Sequence, residues 1–161
     1  MLLESAPIGD NTGHTAGRML LARMYEHYTG QPLPEIMTTE RGKPYFRNAA
    51  LHFSISHTKT RVFCALSEKP VGIDAEDLNR QIRPELADKI LSPSERQQYD
   101  AAEDKRMALL TFWVLKEARA KFTGQGLRGY PNHTQFHLND PRINVREGCL
   151  VAVIEEESYV V

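Results

Sequence analysis

Three short strand-like runs follow one another near the middle of the chain, and they constrain the fold more than any other feature. They cover residues 51–56, 62–67 and 71–76, and each contains β-branched or aromatic residues. Short polar links separate them, and links of this length favour antiparallel pairing of neighbouring runs. We therefore predict an antiparallel meander at the centre of the chain.

Helical periodicity lies on both sides of these runs. Apolar residues recur at helical spacing over residues 14–28, which end before Gly30, and over residues 103–122, which end before Gly124. Shorter elements are also predicted, with helices over residues 84–91 and 94–99 and strands over residues 35–38, 134–138, 142–145 and 149–155. The order of helix then strands, twice over, predicts an α+β fold.

The length of 161 residues suits a single domain. Because the element order is similar in the two parts of the chain, it permits two similar lobes, which we place approximately at residues 1–70 and 71–161. No sequence repeat supports this division, so the periodicity permits the two lobes without requiring them.

Composition narrows the classes of protein. The formal net charge is −1, which gives general nucleic-acid binding no support, so phosphate recognition would have to be local. The longest apolar run, residues 108–115, is far shorter than the roughly 20 residues of a membrane span. Cys64 and Cys149 lie in apolar stretches and are interpreted as core thiols. With no secretion signal in residues 1–11, we expect a cytoplasmic protein.

Two carboxylates lie close together at the end of the third strand-like run. Side chains alternate along a strand, so Asp74 and Glu76 share one face. Two such charges about 4 Å apart repel by roughly 1 to 4 kcal/mol, and a cation relieves this repulsion. Oxygen ligands favour Mg²⁺ or Mn²⁺ over zinc. The alternative is a strand that ends in exposed acids.

The long predicted helix places Trp113, Glu117 and Lys121 on one face, because they are spaced four residues apart. In one interpretation, Glu117 is a third carboxylate or a base and Lys121 binds phosphate. In the other, a core tryptophan lies beside an exposed ion pair that contributes only a few tenths of a kcal/mol, on the order of other surface pairs.

Ser56 and His57 end the first strand-like run with a hydroxyl and an imidazole, both of which can donate to a phosphate oxygen. Turn capping is the alternative role for the serine. Residues 41–44 form a basic turn, for which a solvated loop is the alternative. Each of these signals is weak alone.

Together and in this order, the motifs resemble the 4′-phosphopantetheinyl transferase family. The resemblance covers roughly residues 17–127. Its pieces are Gly17-Arg18, Gly42-Lys43-Pro44, Ser56-His57, Val71-Gly72-Ile73-Asp74-Ala75-Glu76, and Trp113-Val114-Leu115-Lys116-Glu117-Ala118 continuing to Lys121 and Gly124-Gln125-Gly126-Leu127. The last two motifs at this separation are highly specific, and the others support them.

The resemblance implies two lobes related by a pseudo-twofold axis, with coenzyme A in the cleft between them. It also implies a transferase: the phosphopantetheine arm passes from coenzyme A to a serine of an apo acyl or peptidyl carrier protein, and 3′,5′-ADP is released. Such an enzyme serves fatty acid synthesis or the synthesis of polyketides and nonribosomal peptides, as a holo-acyl-carrier-protein synthase.

By position in the motifs, Asp74, Glu76 and Glu117 would bind Mg²⁺, or Mn²⁺ in its place. The resemblance assigns the coenzyme site to Arg18, Lys43, Pro44, Ser56, His57, Lys116 and Lys121. Glu117 would accept the serine proton, directly or through a water, and Lys121 would stabilise the departing ADP.

The chain departs from the family pattern in two places. Only sixteen residues precede Gly17-Arg18, so we expect the longer N-terminal portion of larger relatives to be absent or abbreviated. Val114 stands where relatives often have a small or hydroxyl residue. The acidic motif is central in the chain rather than near its start, which favours the two-lobe, monomeric type.

Two other functions fit the same residues. Paired carboxylates with lysines also suit a metal-dependent phosphodiesterase or nuclease, although the near-neutral charge argues against it. The chain could also be an inactive scaffold that binds coenzyme A or a carrier. The sequence leaves the carrier, the pathway and the acceptance of acylated coenzymes open.

Overall fold

The structure is a computed structural model that describes residues 1–126 and 135–157. In chain order its elements are β1 (Leu2–Pro7), α1 (Gly13–Thr29), β2 (Ile36–Thr38), β3 (Pro44–Phe46), β4 (His52–His57), β5 (Arg61–Ser67), β6 (Val71–Asp77), α2 (Leu86–Ile90), α3 (Pro93–Ala101), α4 (Lys105–Thr123), β7 (Ile143–Arg146) and β8 (Cys149–Glu155). Within these ranges, none of the helices combines the length and the apolar character needed to cross a bilayer. The predicted α+β class is confirmed.

Two three-stranded antiparallel sheets form the framework. The first sheet has the strand order β1-β5-β4, and the third sheet has the strand order β6-β8-β7. The second sheet is the hairpin of β2 and β3. Helix α1 packs against the first sheet and α4 packs against the third. In both three-stranded sheets, the strand that comes last in the chain lies in the middle.

The predicted meander is correct for its first two strands and wrong for the third. β4 and β5 pair antiparallel, with His57 opposite Val62. β6 instead pairs with β8, where Asp74 lies opposite Ala152. The partner of β6 is therefore more than seventy residues away along the chain, and a local pattern of short links gives no sign of it.

Strand β6 lies beside β4, and the two strands run in the same direction. The backbone N–H groups of Ile73 and Ala75 donate to the hydroxyl oxygens of Ser54 and Ser56, at 3.0 and 3.1 Å. These side-chain acceptors replace the carbonyl oxygens of an ordinary strand pair. We call this contact the serine joint. It connects the first sheet to the third.

Helix ends follow the chemistry of their terminal residues. Ser92 and Glu95 form a capping box at the start of α3, and Asp104 caps α4 by accepting from the N–H of Met107. Gly30 and Gly124 end α1 and α4 in the left-handed region, where a side chain is disfavoured. The long predicted helices are thereby confirmed to within a few residues.

Two local predictions fail. β1 was not predicted, because its residues include Glu4 and Ser5 and give no clear alternation. Residues 135–138 do not form the predicted strand, and Thr134 lies outside the described residues. In addition, Met19 and Tyr28 of α1 are exposed, although both belong to its apolar stripe.

The core consists of apolar clusters on both sides of the serine joint. Leu20 and Leu21 of α1 pack on the first sheet, and Leu110 and Leu115 of α4 belong to the cluster on the third. A middle cluster joins the two sheets, and it includes Phe63 of β5. Burying side chains of this size contributes about 1.5–3 kcal/mol each.

Both cysteines are free and buried, as the sequence predicts. Burial, assisted by the carboxylate of Glu4, raises the pKa of Cys64 to about 12. Burial, together with Asp77, raises the pKa of Cys149 to about 11. Both groups are therefore neutral thiols in the core rather than reactive thiolates.

Gly72 allows α4 to lie directly on β6. A Cβ atom at this position would come within 2.2 Å of the Ala118 carbonyl oxygen and within 2.4 Å of the Phe122 nitrogen. No side chain fits such a gap. Since Asp74 follows two residues later on the same face, the close approach brings it next to Glu117 and Lys121 of α4.

Candidate active site

Asp74 lies at the centre of the candidate site, where β4, β6 and α4 meet. It is only 6% exposed, and its Oδ1 atom accepts from the Ser56 hydroxyl at 3.1 Å and from Lys121 Nζ at 3.0 Å. Its Oδ2 atom is buried and has no hydrogen-bond partner. A buried polar atom without a partner costs about 1–3 kcal/mol, so this oxygen marks a place for a donor or a cation.

Lys121 connects the helix to both neighbouring strands. Besides its ion pair with Asp74, its ammonium group donates to the carbonyl oxygen of Ile55 at 3.3 Å. The side chain is one third exposed and lines a cavity beside the carboxylates. It therefore lies between the buried carboxylate and the solvent-filled side of the site.

Glu76 is held by Trp113 and Arg80, neither of which was predicted as a site residue. The indole Nε1 of Trp113 donates to Glu76 Oε1 at 3.2 Å, and the Arg80 guanidinium forms an ion pair with the same oxygen. Arg80 also lies 5.8 Å from the centroid of the Trp113 ring. Arg106 fixes this loop by donating to the carbonyl oxygens of Leu78 and Arg80.

Glu117 is within electrostatic reach of both other carboxylates. Burial, followed by the charge of Asp74 and more weakly that of Glu76, raises the pKa of Glu117 to about 7. Burial is also the main cause that raises the pKa of Asp74 and that of Glu76. The pKa of all three carboxyl groups is therefore raised, and a cation bound nearby would favour their ionised forms.

The carboxylate oxygens suit a hard cation, but the three carboxylates do not surround a common point. Across residues 1–126 and 135–157, no group of three or more His, Cys, Asp or Glu side chains is arranged to hold a metal ion as it stands. The oxygen-only set, its mutual repulsion and the unpaired Asp74 Oδ2 fit Mg²⁺ or Mn²⁺. Mg²⁺ usually keeps several waters, so one or two protein carboxylates are enough to bind it.

A cavity of about 560 Å³ opens beside the carboxylates. This volume is in the range of small-molecule sites. Of the ten residues predicted from sequence for the site, six line this cavity: Arg18, Lys43, Pro44, His57, Glu117 and Lys121. Arg41, which the prediction left out, lines it too. The cavity therefore gathers four cationic side chains in a chain of net charge −1.

Lys43 links the basic turn to the end of α4. Its ammonium group donates to the carbonyl oxygen of Phe122 at 2.6 Å, and a Cβ atom at Gly124 would lie 2.9 Å from Lys43 Cδ. Burial lowers the pKa of Lys43. A cation is favourable at the negative end of a helix, so this contact stabilises the wall of the cavity.

His57 and Arg18 shape the opposite wall. The imidazole of His57 lies on Gly13, where a Cβ atom would come within 2.5 Å of the ring. Its Nδ1 atom is 3.2 Å from the Thr58 carbonyl oxygen, which favours a proton on Nδ1. The Arg18 guanidinium lies 5.9 Å from the centroid of the Phe53 ring.

Two predicted coenzyme-site residues lie elsewhere among the described residues. Lys116 is fully buried, forms an ion pair with Glu95 at 2.7 Å and does not line this cavity. Successive residues of a helix are rotated by about 100°, which turns Lys116 into the core while Glu117 faces the cavity. Ser56 is also buried, and its bonds go to Asp74 and Ala75 rather than to the cavity.

Comparison with known proteins places this arrangement in a family. Residues 70–156 match the model of the 4′-phosphopantetheinyl transferase superfamily, which is more than half of the chain. The chain belongs to this superfamily. The matched region contains Asp74, Glu76 and Glu117 together with all of the α4 residues that line the cavity.

Curated relatives agree with this assignment. The chain is 31% identical to the 4′-phosphopantetheinyl transferase psf-1 of Bacillus pumilus over 116 residues, which is 69% of this chain and 49% of the relative. It is 34% identical to AcpT of Salmonella typhimurium over 129 residues, or 76% and 65% of the two chains. It is 31% identical to HetI of a Nostoc species over 123 residues, or 70% and 52%. The chain thus spans about half to two thirds of the length of these relatives.

Proposed function

We propose that the protein transfers the phosphopantetheine group of coenzyme A to a serine hydroxyl of an apo acyl or peptidyl carrier protein. The serine oxygen forms a bond to the phosphorus that carries the pantetheine arm. The bond from that phosphorus to the bridging oxygen breaks, and 3′,5′-ADP leaves. The observation that carries the proposal is the set of Asp74, Glu117 and Lys121 beside a basic cavity, in a chain of this superfamily.

The cavity suits the phosphate groups of coenzyme A. The coenzyme presents a pyrophosphate and a 3′-phosphate, and Arg18, Arg41, Lys43 and Lys121 offer positive charge along the cavity wall. The His57 ring packs against Gly13 at the start of α1, and the N-terminal end of a helix favours an anion. We assign the phosphates to these groups and the apolar surface of Pro44 to the nucleotide.

Asp74, Glu76 and Glu117 are the residues that would hold Mg²⁺ or Mn²⁺. When bound, the cation neutralises charge on the pyrophosphate oxygens. Glu117 lines the cavity beside Asp74, and it would accept the proton of the attacking serine, directly or through a water. Lys121, which is partly exposed, donates to the oxygens of the departing ADP.

We also propose that the chain forms two lobes, at about residues 1–70 and 71–161, related by a pseudo-twofold axis. The shared strand order of the two three-stranded sheets supports this division. So does the position of one long helix on each of these sheets. A monomeric state and a cytoplasmic location stay predictions from the sequence.

The decisive test is the mass of carrier proteins after incubation with the protein, coenzyme A and Mg²⁺. We expect a gain equal to one phosphopantetheine on at least one apo carrier from a panel of fatty acid and secondary metabolite carriers. Asp74→Ala should abolish the gain. Asp88→Ala removes an exposed carboxylate of α2 that pairs with Arg96, and it should keep full activity.

Different outcomes separate the alternative functions. Unchanged carriers together with tight coenzyme A binding in calorimetry would indicate an inactive scaffold. Cleavage of nucleic acid that depends on Asp74, with no carrier modified, would indicate a phosphodiesterase. Either result would overturn the proposed transfer.

A further inference from the structure

We propose that Ser56 is a positioning residue that fixes the orientation of Asp74 for cation binding. The family resemblance assigns Ser56 to the coenzyme site, and its contacts instead point to the carboxylate. The proposal rests on the proposed function, because it treats Asp74 as a ligand of Mg²⁺ or Mn²⁺. It adds a role that depends on the serine joint between β4 and β6.

Ser54 and Ser56 make equivalent contacts in the joint. Both are buried, with 6% and 5% of their surface exposed. Each hydroxyl oxygen accepts from a backbone N–H of β6, Ser54 from Ile73 and Ser56 from Ala75. Loss of either hydroxyl therefore leaves one buried N–H without its acceptor, and this part of the cost in stability should be similar for the two serines.

The two serines differ in the acceptor of their hydroxyl proton. Ser56 donates to Asp74 Oδ1 at 3.1 Å, while among the described residues Ser54 bonds only to the Ile73 nitrogen. The bond from Ala75 occupies one side of the Ser56 oxygen and leaves its single proton for the carboxylate. Ser56 therefore fixes the Asp74 carboxylate relative to the contact between β4 and β6.

Lys121 also binds Asp74 Oδ1, but it is a less permanent partner. Its side chain is one third exposed, and it faces the cavity where phosphates would bind. When Lys121 turns toward a phosphate, Ser56 alone keeps Oδ1 in place. The unpaired Oδ2 then keeps its orientation instead of rotating to find a new donor.

Calorimetric titration with Mn²⁺ alone tests this role without measuring transfer. We compare the whole chain with Ser56→Ala and with Ser54→Ala as the matched control. Ser56→Ala should weaken Mn²⁺ binding about tenfold, because a hydrogen bond to a charged group is lost. Ser54→Ala should bind Mn²⁺ within about twofold of the wild type, since its bond is to a backbone N–H only. Thermal unfolding should show a loss for both variants, and a larger one for Ser56→Ala because it also loses the bond to Asp74.

The possible results of the titration separate the positioning role from the metal site itself. Equal Mn²⁺ affinity for Ser56→Ala and the wild type, or equal weakening by both variants, would overturn the positioning role alone. No Mn²⁺ binding by the wild type would remove the metal site from the proposed function, and the positioning role with it. If Ser56→Ala does not fold, Ser56→Cys keeps the volume with a much weaker donor and should show the same weakening.

Discussion

The ammonium group of Lys116 lies 2.7 Å from the carboxylate of Glu95, and neither side chain is exposed to solvent. The carboxylate also accepts from the backbone N–H groups of Ser92 and Phe136, and the ammonium group lies 5.9 Å from the Phe136 ring centroid. This pair joins α3, α4 and the segment around Phe136. It fixes the helix that carries Glu117.

Lys116→Met should destabilise the protein by about 3–5 kcal/mol, because it breaks the ion pair with the buried Glu95 carboxylate. Urea unfolding measures the loss. The double change Lys116→Met with Glu95→Gln should recover part of it, since the amide oxygen still accepts from backbone N–H groups. Arg119→Met, at an exposed position of the same helix, should change stability by less than about 0.5 kcal/mol. A small loss for the single Lys116 variant would contradict the assigned role.

Gly72→Ala should displace α4 from β6. The added methyl group would overlap the backbone of Ala118 and Phe122, and overpacking of this kind costs about 1–3 kcal/mol. The single tryptophan of the chain, Trp113, lies on α4, so its fluorescence in the folded state should change. Val71→Ala loses apolar contacts without entering the gap and should leave the emission unchanged. Identical spectra for Gly72→Ala and the wild type would show that the helix tolerates a side chain there.

Stability without added metal should depend on pH through Glu117. Burial raises the pKa of Glu117 from 4.5 to about 7, so the folded chain binds a proton that the unfolded chain releases. The stabilising contribution is complete below pH 4.5 and is lost as the pH rises through about 7. The melting temperature in a chelator should therefore fall over this range. Asp74 and Glu76 act in the same direction, because burial also raises the pKa of each.

Glu117→Gln isolates the contribution of this residue to the pH dependence. The variant has no ionisable group at position 117, so its melting temperature should fall less between pH 4.5 and about 7 than that of the wild type. Superimposable pH profiles would show that Glu117 titrates normally and does not share the field of the other carboxylates.

Arg41 should contribute to coenzyme A affinity, although the sequence did not place it in the site. Arg41→Met removes one cation from the cavity wall and should weaken coenzyme A binding several-fold in calorimetry, with a smaller effect at high salt. Arg47→Met removes an exposed arginine that pairs with Glu35, and it should bind coenzyme A like the wild type. An equal effect of both changes would mean that only overall charge matters.

The long helices and their ends could be predicted from sequence, because their signals are local. The stop at Gly124 and the capping at Ser92 depend on neighbours within four residues. The partner of β6 could not be predicted in this way, since β8 is distant along the chain. Nor could β1, because its place beside β5 depends on tertiary pairing rather than on a clear alternation.

The site shows the same division between local and distant signals. Spacing along α4 correctly put Glu117 and Lys121 on one face with Trp113, and the structure brings them beside β6. Lys116, which the family resemblance assigned to the coenzyme site, does not line the cavity. Helical spacing aligns it with Phe112 and Ala120, both of which are buried, and this signal was available in the sequence. The partner of Ser56 lies on another sheet, and no local pattern reveals it.

The serine joint has a mechanical consequence for the contact between the first and third sheets. A ladder of carbonyl and amide groups resists sliding, because neither group can turn without moving the main chain. A hydroxyl rotates about its own bond, so Ser54 and Ser56 can keep hold of β6 through small shears. The joint thus holds β6 against β4 through side-chain hydroxyls rather than through main-chain pairing, and the Asp74 carboxylate is attached to it through Ser56.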